Sequence, residues 1–457
     1  IREPKIDPEN PNNRYFLPLN LQAYFARTNI DLLGKYLFTA TFRADASSLF
    51  QKDKRWGYFP AIGAAWKLKE ENFLKNSKTI QDLKLRMSWG KTGQSSITDV
   101  VGFFPTRPFF EVGNANGQYL PGLNTYTAQP YDPNITWEKT TTLNLGVDFE
   151  FFKNSILSGS FDVYNRKTTD LLSKVPSLPG QSTAATEFIS NVGSIEGKGF
   201  ELNMNVKAIQ SEDFNVSLGG NLAYNYNKVS DLKGVSVVQD TGSGLNQTGV
   251  YLAFNPVGHQ PYSAWVFEQI YDATGQPIVG AYVDRNDDGR INNDDRYYVA
   301  MRPNWTYGFS TAFNYKNWDL TANFRGQMGG QVYNLKTLTN GNTQGAVGYT
   351  GNYLINVLDF YNGAANPLFT NFNGNATFSD YLLEDASFLR CDNVTLGYKF
   401  KENLPFLNKA GIKVYGSVNN LFILTEYSGQ DPENFNGIDR NFYPRPRTYT
   451  FGVSIDF

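Results

Sequence analysis

The chain is 457 residues long and close to neutral, with 41 Lys+Arg against 43 Asp+Glu, and Phe, Tyr and Trp make up 15% of it beside 41 glycines. That length holds several ordinary domains or one large barrel, and abundant aromatics with few helix-favouring stretches point to strands joined by turns. No basic stripe follows a phosphate backbone, so nucleic acid is set aside as a partner; no uninterrupted apolar run reaches the ~18 residues of a membrane-spanning helix, which leaves a β-barrel open.

The first residues, IREPKIDPENPNNR, have neither a charged start nor an apolar core and do not read as a signal peptide. An exported protein would then be present here as a fragment. Strands are expected near 17–30, 36–45, 58–68, 82–92, 139–151, 155–167, 192–208, 214–229, 263–271, 277–284, 305–315, 318–329, 387–399, 411–421 and 446–457, fifteen in all. Their signal is a period of two. Leu83, Leu85, Met87 and Trp89 alternate with Lys84, Arg86, Ser88 and Gly90; Leu143, Leu145, Val147, Phe149 and Phe151 alternate with Asn144, Gly146, Asp148 and Glu150. Phe200, Leu202, Met204 and Val206 repeat the pattern. The last segment places Tyr449, Phe451, Val453, Ile455 and Phe457 on one face and Thr448, Thr450, Gly452, Ser454 and Asp456 on the other.

Alternation alone fits a soluble sandwich, apolar face inward, or a membrane barrel, apolar face to lipid and polar face to a watery lumen. Runs of about ten alternating residues, aromatics at strand ends and the terminal Phe457 favour the barrel. The connections agree: DLLGK, FKN, AIQSED, ATGQP and YKN are short, 93–138, 168–191, 230–262 and 330–386 are long, and the two kinds alternate once 69–81 and 400–410 are taken as short links. Outer-membrane barrels keep short turns in the periplasm and long loops outside, and bacterial single-chain barrels have even strand numbers. An odd count ending in the periplasm puts residue 1 in an extracellular loop and implies further strands in a preceding piece.

The segments KYLFTATFRADASSLF, RWGYFPAIGAAWKLKEENF, DLKLRMSWGKTGQ, NVGSIEGKGFELNMNV, ASFLRCDNVTLGYKF and FYPRPRTYTFGVSIDF resemble, in order, blocks of the SusC/RagA family of TonB-dependent transporters. Ala46 stands where that family usually has glycine, a conservative change in a tight connection. The resemblance implies an all-β transmembrane antiparallel β-barrel in a Gram-negative outer membrane. Residues 1–457 would supply about the last fifteen strands of a barrel of about 22, the amino-terminal plug and first strands being absent. It further implies active import of glycans or oligopeptides, energy from TonB acting through the absent amino-terminal region, and a SusD-like surface lipoprotein as lid. A passive outer-membrane porin is the alternative; a secreted carbohydrate-binding β protein is a third, which leaves the alternation of turns and loops unexplained.

One local motif carries chemistry. In DRNDDGRINNDD, Asp284, Asn286, Asp288, the carbonyl of Arg290, Asn292 and Asp295 fall at positions 1, 3, 5, 7, 9 and 12 of an EF-hand-like loop with Gly289 at the sharp turn, a spacing that suits structural Ca²⁺ on an extracellular loop. Asp at position 12 reaches less far than the usual Glu, and a solvated Asn/Asp/Gly turn is the plain alternative. His259, the single histidine, and Cys391, the single cysteine, support neither a multi-histidine metal site nor a disulfide, and no nucleophile or phosphate-binding motif appears, so no catalytic residue is expected. Phe103, Phe104, Phe109, Phe110, Tyr119, Tyr126 and Tyr131 in one long loop and Tyr333, Tyr349, Tyr353 and Tyr361 in another are expected to pack loops together or meet a lid. None is assigned to substrate.

Overall fold

The computed structural model describes residues 19–94, 97–108, 130–176, 187–239, 243–245, 250–340, 376–400, 411–434, 436–440 and 443–456, with short pieces at 5–6, 14–15, 110–112 and 126–128. Thirteen antiparallel strands form one continuous sheet in which every strand pairs with its neighbour in sequence. They are β1 (Leu21–Leu32), β2 (Tyr36–Ser47), β3 (Trp56–Lys67), β4 (Ile80–Gly93), β5 (Lys139–Phe151), β6 (Leu157–Thr169), β7 (Ser194–Gln210), β8 (Phe214–Asp231), β9 (Trp305–Tyr315), β10 (Trp318–Met328), β11 (Phe388–Lys399), β12 (Gly411–Thr425) and β13 (Thr448–Asp456).

Two of the fifteen expected strands are not in this sheet. Segment 263–271 supplies Ser263–Val266, which pairs with Ala253–Pro256 and Tyr297–Ala300, and 277–284 supplies Pro277–Tyr282, which pairs with Gln269–Tyr271. Four, three and six residues do not reach across a hydrocarbon layer, for which a strand needs about 9–11. Both belong to the excursion 232–304. Losing a pair keeps the count odd, so the alternation survives: 33–35, 68–79, 152–156, 211–213 and 316–317 join strands at one end, and 48–55, 94–138, 170–193, 232–304, 329–387 and 426–447 at the other. The expected link 400–410 lies, apart from its first residue, outside the described residues, as does Phe457.

Register shows that the sheet is staggered as a barrel requires. One row of paired residues runs Tyr36, Trp66, Leu85, Val147, Phe161, Leu202, Leu222 and Tyr307. It begins at the short-link end of β2 and finishes near the long-loop end of β9, so the strands are tilted relative to any common axis. The residue after each of these belongs to the opposite face. That face carries Arg86, Asp148 and Asp162, whose ion pairs are 2.8 and 2.9 Å long.

The apolar face has no core beneath it. Ile62, Met87, Leu145, Phe309 and Val453 are all exposed, whereas the buried apolar clusters lie among the long loops. Aromatic pairs bound this band at both ends. Tyr24 and Trp56 (6.0 Å) and Tyr224 and Trp305 (4.9 Å) stand toward the long loops; Tyr36 and Trp66 (6.2 Å) and Trp318 and Tyr398 (4.7 Å) stand toward the short links. An exposed apolar belt between two aromatic girdles is the outer surface of a membrane barrel rather than a sandwich interior.

Among the described residues β1 and β13 each pair on one side only. Both run from the long-loop end to the short-link end, so they cannot pair antiparallel with each other. Antiparallel closure needs an odd number of further strands between them. If the apolar face meets lipid, Leu145→Arg at mid-strand will destabilise the folded barrel in liposomes by about 2–4 kcal/mol, while Asn144→Arg on the other face stays within about 1 kcal/mol; guanidinium unfolding measures both.

Candidate functional site at the long-loop end

Six excursions leave the sheet at one end, and they are knitted into two groups of three. In the first, Phe50 from 48–55, Ile97, Ile135 and Trp137 from 94–138 share a buried cluster, with Leu172 and Ile189 from 170–193 packed against it. Trp137 is the anchor, its ring 5.1 Å from Phe50 and 5.6 Å from Phe59 and its indole N–H donating to the Arg55 carbonyl at 3.0 Å. The buried Asn191 side chain acts as a second tie, accepting from the Thr136 N–H at 2.7 Å and donating to the Thr136 carbonyl at 3.0 Å.

In the second group, Leu252, Ala264 and Val266 from 232–304, Tyr333, Leu335 and Leu382 from 329–387, and Ile438 from 426–447 form the largest cluster. Tyr333 pairs with Ile438 as an isolated parallel bridge, and its hydroxyl donates to the Thr377 carbonyl at 2.6 Å. Of the loop aromatics read from the sequence, Tyr333 is buried in this packing, Phe104 and Tyr131 are exposed, and Phe109, Tyr119, Tyr349, Tyr353 and Tyr361 lie outside the described residues. His259 packs against Tyr298 with ring centres 5.1 Å apart.

The second group is fixed to the wall by charge. Arg390 on β11 is 2% exposed and Asp431 6%, and their ion pair is 2.6 Å long. The Arg390 Nη1 also donates to Asn420 Oδ1 at 2.7 Å, while its Nε has no hydrogen-bond partner. Arg325 on β10 spans Asp392 at 2.6 Å and grips Glu433 with both terminal nitrogens, and Arg445 reaches the same Glu433 at 2.9 Å. A buried carboxylate without its cation is costly, so the two pairs that cross, Arg390 with Asp431 and Arg325 with Glu433, hold 426–447 against the wall, and Arg445 ties Glu433 from within the excursion. None of this is local in sequence, and no spacing motif announces it.

Elsewhere the polar face carries further paired groups. Lys84 and Asp148 lie 2.6 Å apart, Lys413 and Asp319 2.7 Å, Arg166 donates to Asn227 at 3.0 Å, and Tyr164 donates to Asn225. Such a face suits a water-filled lumen.

The EF-hand-like motif lies in 232–304, at the same end. Asp287 and Gly289 adopt left-handed φ of 58° and 77°, as the sharp turn demands. Asp284 accepts from the N–H of Gly289 at 2.7 Å, Asp288 from Arg290 at 2.8 Å, and Asn286 from Asp288 at 3.1 Å. Asp295 accepts from Asn292 at 2.8 Å and Arg285 at 3.0 Å, and Asn292 reciprocates by accepting from Asp294 at 2.7 Å. The Asn292 N–H, aided by that of Arg285, holds the Asp295 carboxyl below its ordinary value of 3.8. Its contribution is therefore present above that value and is lost as pH falls through the lowered one. The donors are all oxygen and suit a hard cation, yet they are turned toward the loop's own N–H groups. Among the described residues no three His, Cys, Asp or Glu side chains are placed to hold a metal.

Arg390→Leu will release the 426–447 excursion, at a cost of about 3–5 kcal/mol for the uncompensated carboxylate. Limited proteolysis of the intact protein should cut within 426–447 at least tenfold faster, and Arg390→Lys should rescue only in part because one ammonium cannot reach Asp431 and Asn420 as a fork.

The family model described as TonB dependent receptor-like, beta-barrel matches residues 2–421. The TonB-dependent receptor SusC of Bacteroides thetaiotaomicron is 38% identical over 450 residues, covering 96% of this chain and 44% of that protein. TonB-dependent receptor P26 of Formosa agariphila is 31% identical over 474 residues, 96% of this chain and 46% of that one. The solved structure of the RagAB peptide transporter aligns with a TM-score of 0.77 at 25% identity, over 96% of this chain and 48% of its own. The chain thus spans about half the length of the relatives it matches.

Proposed function

Since the chain belongs to the TonB-dependent receptor β-barrel family and is an outer-membrane β-barrel wall, we propose that it is the carboxy-terminal part of an active nutrient importer. The observation that carries this is the 38% identity to SusC over 96% of the chain. The cargo in this reading is an oligomeric nutrient, glycan or oligopeptide. Energy comes from TonB through an amino-terminal plug, and a SusD-like lipoprotein sits over the long-loop end. The open edges support an amino-terminal remainder: closing a barrel of about 22 strands on thirteen takes about nine, an odd number, as two edges running in one direction require. The family is one of receptors and transporters, and no catalytic step is assigned to His259 or to any other residue here.

In the intact protein, uptake of a labelled cargo oligomer should stop when the proton gradient is collapsed or TonB is deleted. Uptake that persists at an unchanged rate would make the protein a passive porin. Affinity purification in mild detergent should also retain a surface lipoprotein of the lid type.

The EF-hand-like loop is read as a weak structural Ca²⁺ site stiffening the mouth, held by Asp284, Asn286, Asp288, the Arg290 carbonyl, Asn292 and Asp295. Its support is the all-oxygen donor set in loop order around Gly289. Calorimetric titration of the intact protein should give one site of about 10⁻⁴–10⁻³ M that is abolished by Asp284→Asn with Asp288→Asn. No heat at millimolar Ca²⁺ would leave a self-bonded turn.

A further inference from the structure

The lipid-facing side of the sheet is apolar almost throughout, and its charges are gathered in one place. Alternation along the strands puts Lys91 on β4, Lys139 on β5, Lys167 on β6, Glu196 and Lys198 on β7 and Lys228 on β8 on that side. All stand near the long-loop ends of five consecutive strands. On the other eight strands of the thirteen this side carries no charged residue.

Register makes them a patch. Lys91, Thr141, Lys167, Glu196 and Lys228 are successive members of one cross-strand row; Lys139 lies one step nearer the loops, and Lys198 one step nearer the apolar band, between Asn165 and Tyr226. Adjacent strands are about 4.8 Å apart, so the lysines at every second strand of the row are about 10 Å apart. Acids answer them only in part. Glu196 lies between Lys167 and Lys228 and pairs with the first at 2.9 Å, while Asp170 stands 3.8 Å from Lys139 and 3.7 Å from Lys233. Asp231, at the end of β8, accepts from the Lys233 N–H at 3.0 Å. Among the described residues Lys91, Lys198 and Lys228 form no ion pair, the Lys198 ammonium lying 6.0 Å from the centre of the Tyr226 ring.

Trp89 and Tyr224 sit directly beneath the patch, at the upper edge of the apolar belt, so the ammonium groups stand at the height of lipid headgroups. This side turns away from the lumen, and β4–β8 are flanked by other strands of the sheet at both edges, so neither a plug nor the strands that close the barrel would cover it. Long loops stand outside, which makes the covering layer the outer leaflet. We propose that the patch binds the phosphate of an outer-leaflet glycolipid of the lipid A class, whose acyl chains run down the apolar belt. Like charges crowded at the edge of hydrocarbon repel and are costly to hold without a counter-charge, and a lysine on its flexible stem is a point-charge ligand for phosphate. Thr141 and Asn165, set among the lysines, add a hydroxyl and a carboxamide suited to sugar. The inference goes beyond the importer reading and does not depend on the cargo.

The test uses the full-length protein with its amino-terminal part, purified in mild detergent and folded as judged by heat-modifiable gel mobility. Native mass spectrometry follows binding as monophosphorylated lipid A, the same lipid without its phosphate, or inorganic phosphate is added. The phosphorylated lipid should bind about tenfold or more tighter than the dephosphorylated one, and its binding should weaken as salt is raised. Lys167→Gln with Lys198→Gln and Lys228→Gln should weaken it by about ten- to hundredfold, and arginine at the same three positions should stay within about threefold. Lys75→Gln with Lys78→Gln and Lys153→Gln, three exposed lysines at the short-link end, should also stay within about threefold. Failure of the phosphorylated lipid to bind, equal binding of the two lipids, or wild-type binding indifferent to salt overturns the site without any variant. An equal loss in the short-link triple reduces the effect to net charge and overturns it too. Inorganic phosphate that binds as tightly as the lipid overturns the glycolipid as the ligand.

Discussion

Inside a hydrocarbon layer a backbone N–H or C=O has no water to turn to, and this one constraint organises the molecule. Each interior strand of the thirteen is paired on both sides with its sequence neighbours. Once pairing is obligatory, side chains are free to sort by face, and they do so with a period of two. The row from Tyr36 to Tyr307 shows the sheet climbing as it goes round, so the same pairing that satisfies the backbone also sets the stagger of a barrel. The two edges are where the constraint stays open.

With lipid on one face and a watery lumen on the other, the wall has nothing apolar to pack against, and its cohesion comes from backbone pairing and polar contacts. The conventional hydrophobic cores are displaced to the long loops. There Trp137 and Tyr333 each sit at the meeting point of excursions from different parts of the chain. Loops gathered in this way are held in a defined arrangement at one end of the sheet.

Charge divides the labour further. Arg325 paired with Glu433 and Arg390 paired with Asp431 hold the last excursion to β10 and β11.

Much of this was legible in the chain. The alternation of Leu83–Gly90, of Leu143–Phe151 and of Tyr449–Asp456 is local and fixes both strand and face, because successive side chains on any strand point oppositely. Connection lengths fixed which end is which, and a mistaken pair of strands at 263–284 left that result intact because errors of two preserve parity. The mistake itself had a physical source: short apolar runs look alike whether they cross a membrane or fold into a loop, and only their partners, Ala253–Pro256 and Tyr297–Ala300, decide. The sharp turn at Gly289, left-handed in the fold, was likewise readable from the Asn/Asp/Gly run around it. What tertiary structure alone decided was every relation across distant strands: Arg325 meeting Glu433 over 108 residues, and Tyr333 meeting Ile438. Periodicity tells each strand which way its side chains face. Register between strands, set by the folded sheet as a whole, determines which side chains those are brought to meet.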